Sequence, residues 1–171
     1  MTSEELRALQ APLKARYRED ASAALVTLRA QGRVGDGRIV CKVDTGKALA
    51  EAGLHPAVGG TGLEVCSGDM LLEALVACAG TTLKAVATAL NISLRSGVVS
   101  AEGDLDFRGT LGVAKDVPVG FREIRLRFDL DTDAPADQTS KLVELTERYC
   151  VVYQTLRGSV ALSVSHQPKS L

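Results

Sequence analysis

The side chains best suited to chemistry in this 171-residue chain are its four cysteines, Cys41, Cys66, Cys78 and Cys150, and its two histidines, His55 and His166. Cys78 lies inside Met70-Leu-Leu-Glu-Ala-Leu-Val-Ala-Cys-Ala-Gly-Thr-Thr-Leu-Lys-Ala-Val-Ala-Thr-Ala-Leu90. That run reads as a long helix, apolar on nearly every side, of the kind buried in a core or at a subunit interface. Cys150 follows Thr146-Glu-Arg-Tyr149, where one helical pattern ends and another begins. Two thiols on separate helical segments suggest a redox pair. The cysteines form no Cys-x-x-Cys unit, and His55 and His166 stand too far apart for a metal-ligand spacing. No metal and no cofactor are therefore expected.

The elements that must hold these thiols belong to an ordinary globular composition. Hydrophobic residues make up 46%, charged residues 24% and aromatics 4%, with no tryptophan. One domain with a real core is expected over residues 21–171, preceded by an N-terminal helix or arm over residues 1–20. The formal net charge of −1 offers no electrostatic footprint for nucleic acid or an anionic membrane. Met-Thr-Ser-Glu-Glu-Leu-Arg does not read as a signal peptide. Glu73 and Lys84 interrupt the apolar run, which is read as a buried helix and not a membrane span. A cytoplasmic setting, in which thiols stay reduced unless they turn over, is the expectation.

Periodicity and turn residues give the element order. Residues 22–31 read as a strand, Gly32–Gly37 as a turn, and Arg38–Val43 as a second strand. Residues 44–62 read as loop, with a short helical turn at Ala48–Ala52, and Leu63–Cys66 as a short third strand. Ser67-Gly-Asp69 supplies capping groups for the long helix. Alternation over Val98–Phe107 and Phe121–Leu130 predicts two half-buried strands. Asp133-Ala-Pro135 opens a helix, Cys150–Leu156 forms a further short one, and Gly158–Ser165 forms the last strand. Three strands, a buried helix, two strands, two helical segments and one strand make an α+β fold.

This pattern resembles the OsmC/Ohr superfamily of thiol-dependent peroxidases and their uncharacterised relatives. Ser67-Gly-Asp-Met-Leu-Leu-Glu-Ala-Leu-Val-Ala-Cys78 is similar to the family's Pro-x-Glu-Leu-Leu-x-Ala-x-x-x-x-Cys helix. Glu147-Arg-Tyr-Cys150-Val-Val-Tyr-Gln-Thr-Leu156 resembles its Cys-Pro-Val-x-x-x-Leu segment. The likeness spans roughly residues 22–166. It implies an intertwined homodimer with the long helices central and mixed sheets wrapped around them. It also implies reduction of organic hydroperoxides through a Cys78 sulfenate resolved by Cys150, with a small dithiol or thiol protein as reductant. Ser67 and Val151 stand where the family has proline, and Asp69 where it has its acid. The family's peroxidases hold the thiolate with an arginine, for which Arg29, Arg33 and Arg38 are the candidates. Many uncharacterised relatives lack it, which leaves a second reading: a non-catalytic member binding a small apolar or electrophilic ligand at the dimer interface.

The proposed chemistry makes demands on each residue. Burial opposes the thiolate, so Cys78 needs a cation or hydrogen-bond donors beside it. Met70, Leu71, Leu75 and Val151 would give the site an apolar wall. Each assignment also has a plainer counterpart. Cys78 and Cys150 could simply pack the core, as free cysteines do. Cys41 reads as strand packing, and Cys66 as a backup resolving thiol. Asp69 reads as an N-cap, an active-site acid, or both. Arg33 reads as a solvated hairpin charge or the thiolate's cation, and Glu73 as an interfacial ion-pair partner. His55 reads as a turn residue that, folded over the helix N-terminus, would polarise Cys78.

Overall fold

The computed structural model describes residues 2–5, 7–8, 10–11, 19, 31–34, 40–44, 49–112 and 114–167, and side chains within 31–34 and 40–49 are outside it. Near the N-terminus the described residues are helical. Thr2 and Glu5 form a reciprocal cap: the Glu5 N–H donates to Thr2 Oγ1 (3.1 Å) and the Thr2 N–H to Glu5 Oε2 (2.7 Å).

The first sheet contains β1 (Gln31–Val34), β2 (Val40–Asp44), β3 (Leu49–Gly53) and β4 (Val65–Cys66). β1–β2 and β2–β3 are antiparallel, while β4 runs parallel to β3. Two expectations are corrected here. β1 occupies the start of the stretch read as a turn, and β3 forms where a short helical turn was expected. Leu-Ala-Glu-Ala-Gly has helical composition, but five paired residues from Val40↔Gly53 to Asp44↔Leu49 hold it extended. Sheet pairing overrides weak local propensity. Residues 22–30 of the expected first strand, and most of the N-terminal arm, lie outside the described residues.

Cys66 leads directly into α1 (Ser67–Ala89). Leu75, Ala79, Leu83 and Ala87 recur every fourth residue and are the buried residues of this helix. That spacing draws a single stripe along one face. Asn91, at φ 55°, ends the helix, and the Ile92 N–H reaches back to the Ala87 carbonyl at 2.8 Å. By length and composition α1 is apolar enough to cross a membrane. Its stripe instead forms the floor of the core.

The second sheet is a two-stranded antiparallel pair, β5 (Ser96–Asp104) and β6 (Glu123–Asp131), in register from Ser96↔Asp131 to Asp104↔Glu123. A short helix, α2 (Phe107–Thr110), is capped by Asp106. It takes Phe107 out of the strand predicted to include it. β6 alternates cleanly. Ile124, Leu126 and Phe128 pack inward beside Leu75 and Ala79, while Arg125 and Arg127 on the outer face pair with Asp104 and Asp129. α3 (Ala136–Tyr149) and α4 (Val151–Arg157) complete the layer over α1. Leu142 of α3 is fully buried against Leu83, Ala87 and Ile92.

The final predicted strand does not form. Residues 159–167 make no strand, and Leu162 and Val164 are 92% and 97% exposed. A strand needs a partner for its backbone groups, and this segment has none within the chain as described.

Candidate active site

The buried stripe of α1 faces the junction of α3 and α4, and the junction residue is Cys150. Its backbone closes one helix and opens the next. The Cys150 N–H donates to the Thr146 carbonyl at 2.9 Å, and its Sγ accepts the Tyr153 N–H at 3.5 Å. Glu147 braces the junction: Tyr153 Oη donates to its carboxylate (3.3 Å) and Gln154 Nε2 to its carbonyl (2.8 Å). Cys150 is fully buried and packs with Leu75 and Ala79 of α1.

Cys78 lies one residue before Ala79 on α1, half-buried at the edge of the same cluster. Cys78 packs against the cluster that contains Cys150, and each thiol acts on the ionisation of the other. Their surroundings drive them apart electrically. Burial pushes the Cys78 thiol up, but the Val152 N–H, the Cys150 thiol, the Val151 N–H and the Thr82 hydroxyl outweigh it. The net result lies below the ordinary thiol value. Both valine amides are first-turn N–H groups of α4, which have no partner within the helix and carry its positive dipole end. Cys150 moves the other way. Burial raises it, the Tyr153 N–H lowers it, and the hydrogen bond and negative charge of Cys78 raise it further. The thiolate is thus favoured on Cys78 and disfavoured on Cys150.

A cavity of about 460 Å³ shares Leu75 and Tyr153 with this packing. Ile124, Leu126, Phe128 and Leu156 give it an apolar wall. Of the wall expected from sequence, Leu75 is in place, whereas Leu71 and Val151 are exposed at 38% and 69% in the single chain.

The remaining candidates gather elsewhere. Cys66 is the N-cap residue of α1 and makes no side-chain capping bond, so the capping expected of Ser67 and Asp69 is corrected; Asp69 sits in the first turn. Twelve helical residues separate Cys66 from Cys78, about 18 Å of rise, so Cys66 is not its resolving partner here. Cys66, Asp69 and His55 line a separate cavity of about 340 Å³ with Leu72, Phe107 and Phe121. His55 Nδ1 accepts the Ala57 N–H at 3.0 Å, and its ring stacks on Phe107 with centroids 5.0 Å apart. It shares this cavity with Cys66 and Asp69, and Cys78 is not among the lining residues. Gly103 backs this cavity, where a Cβ would come within 2.5 Å of the Phe121 ring. Glu73 is exposed on α1. Arg33 pairs through its backbone with Lys42 in β2, while its side chain, like that of Cys41, is outside the description, as are Arg29 and Arg38. Among the described residues no cluster of His, Cys, Asp and Glu suits a metal ion. Sequence reasoning missed Thr82 and the two valine amides. Only the assignment of a helix start right after Cys150 pointed toward the latter.

Residues 60–165 match the family described as OsmC-like protein. The chain belongs to that family. Solved structures agree on the fold. An OsmC-like protein from Mycoplasma pneumoniae superposes with a TM-score of 0.65 at 17% identity, over 78% of this chain and 89% of that one. An organic hydroperoxide resistance protein OsmC from Legionella pneumophila gives 0.61 at 20% identity, over 78% and 91%. The organic hydroperoxide resistance protein OhrB of Bacillus subtilis gives 0.52 at 21%, over 78% and 92%. No curated protein matches the chain in sequence.

Proposed function

We propose that this OsmC-like chain is a two-cysteine peroxidase acting on organic hydroperoxides. The observation that carries the reading is the contact between a Cys78 thiol favoured as thiolate and a Cys150 thiol held protonated. The Cys78 thiolate attacks the terminal peroxide oxygen, the O–O bond breaks, and the alkoxide leaves and takes a proton as the alcohol. Cys78 is then a sulfenic acid. The Cys150 sulfur displaces hydroxide from it, which departs as water with the Cys150 proton, and a Cys78–Cys150 disulfide forms. A dithiol, small or protein-borne, reduces it by exchange. The Ile124, Leu126, Phe128 and Leu156 wall of the cavity beside Leu75 and Tyr153, whose lining also holds Arg122, Glu123, Glu147 and Arg157, would favour organic over hydrogen peroxide. A reducing compartment such as the cytoplasm suits the cycle.

We read the assembly as a homodimer. Beyond the Leu75–Ala87 stripe, much of apolar α1 faces outward, and so do Val160, Leu162 and Val164. A second copy would cover the helix and give the C-terminal segment a strand to pair with.

A different reading has one observation in its favour. The donors acting on Cys78 are neutral, with no cation among those described. A protein that binds an apolar or electrophilic ligand without turnover would have that feature. The deciding experiment measures consumption of cumene hydroperoxide and hydrogen peroxide by reduced protein with a dithiol, beside Cys78→Ser and Cys150→Ser. Turnover preferring cumene hydroperoxide and lost in Cys78→Ser supports the peroxidase. Rates equal to a free thiol in all three proteins leave the ligand-binding reading.

A further inference from the structure

We propose that Tyr153 is a gate between the apolar cavity and Cys150, held shut by Glu147 as its positioning residue. The inference rests on the two-cysteine reading and adds to it how a reagent reaches the buried thiol.

Cys150 is fully buried. A resolving thiol must meet a dithiol from outside once its bridge has formed, so a side chain around it has to move. The cavity of about 460 Å³ stops short of the thiols, for neither Cys78 nor Cys150 lines it. Leu75, Ile124, Leu126, Phe128 and Tyr153 belong both to its lining and to the packing around Cys150, and so form the partition. Four of them are fixed. Leu75 is 1% exposed on α1, and the other three stand on β6, which pairs with β5 along its whole length. Tyr153 differs. It stands on α4 one turn after Cys150, whose sulfur accepts its backbone N–H at 3.5 Å. The far end of its half-buried ring is tied by a single hydrogen bond, from Oη to the Glu147 carboxylate at 3.3 Å. Glu147 also lines the cavity, and Gln154 Nε2 donates to its carbonyl at 2.8 Å, which anchors it to α4. Losing the one bond to Oη frees the ring to turn about its side-chain torsions while the backbone bonds of the junction stay made. Burial and the adjacent Glu147 carboxylate push the Tyr153 phenol up, which keeps on Oη the proton it donates.

The test is the initial rate of Cys150 alkylation by N-ethylmaleimide in the reduced full chain, mapped by peptide mass spectrometry, with Cys66 in the same sample reporting general loosening. Tyr153→Phe keeps the ring without the latch, and Glu147→Ala removes the same bond from its other side. The expected result is about tenfold faster alkylation of Cys150 in each, the double variant no faster than either, and Cys66 unchanged. An unchanged Cys150 rate in Tyr153→Phe, a double variant in which the two rises multiply, or an equal rise at Cys66 would overturn the proposal; the last would mean that the fold had loosened as a whole. The assay uses no peroxide, so its outcome is separate from whether the protein turns peroxide over.

Discussion

The start and the middle of α1 hold similar residues in different arrangements. At its N-terminus Cys66, His55 and Asp69 line one cavity. Near its middle Cys78 meets Cys150 with no histidine or carboxylate acting on it. By residue type the first group looks more like an active site. The second is the site we propose, because Cys78 packs against the cluster that holds Cys150 and its thiolate is favoured while that of Cys150 is disfavoured. At the first, the imidazole Nδ1 is occupied by a backbone amide and the ring by Phe107. Convergence of donors, not reactive composition, distinguishes a site from a cluster of suitable residues.

The largest effect expected from this contrast is on turnover. Cys78→Ser should lower organic hydroperoxide consumption by about a hundredfold or more, because the nucleophile is gone. Cys66→Ser should leave the rate within about twofold, since it removes no group in contact with the reacting sulfur. Comparable losses in both variants would erase the distinction between the two regions. Cys150→Ser should permit one oxidation of Cys78 and then stall, with sulfinic acid accumulating on Cys78 by intact mass.

Stability should follow the same division. Leu75→Ala, fully buried behind Cys150, should cost about 2–5 kcal/mol in denaturant unfolding. Leu72→Ala, half-buried at the other cavity, should cost less. The reverse order would place the tighter packing in the wrong region.

Titration sharpens the contrast within the thiol pair. The Cys78 thiolate is favoured relative to an ordinary thiol and the Cys150 thiolate disfavoured, so alkylation of Cys78 should switch on at lower pH than that of Cys150. Simultaneous onset would mean that α4 does not act on Cys78. The smallest effect concerns Asp106, which caps α2 beside the second cavity. Hydrogen bonds from the Arg108 side chain outweigh its burial and hold its carboxyl down to about 2. Its stabilisation is present above the unfolded-state value of about 4 and lost as pH falls through the folded value. Asp106→Asn should therefore flatten the loss of stability between about pH 4 and 2. An unaltered acid limb would show that the pair contributes nothing in solution.

How much of this was legible depended on how local each cause is. The α1 run, the alternation of β6 and the helix start after Cys150 all came through, because each is written into neighbouring residues. β3 did not, since its Ala-rich segment is held extended by β2 and not by its own propensity. The Phe107 turn escaped because the Asp106 cap competes with the strand pattern around it. The segment 159–165 carries the right alternation but finds no partner strand among the described residues. At the site, both cysteines were legible from their helices, whereas the gathering of His55, Cys66 and Asp69 around one cavity away from Cys78 was not. The Thr2–Glu5 cap, by contrast, was readable from its spacing and was passed over.

The most direct test adds one equivalent of cumene hydroperoxide to the fully reduced protein and maps the resulting disulfides by peptide mass spectrometry. The account predicts a Cys78–Cys150 bridge with Cys66 still free. A bridge through Cys66, or Cys78 oxidised while Cys150 remains a free thiol, would contradict it.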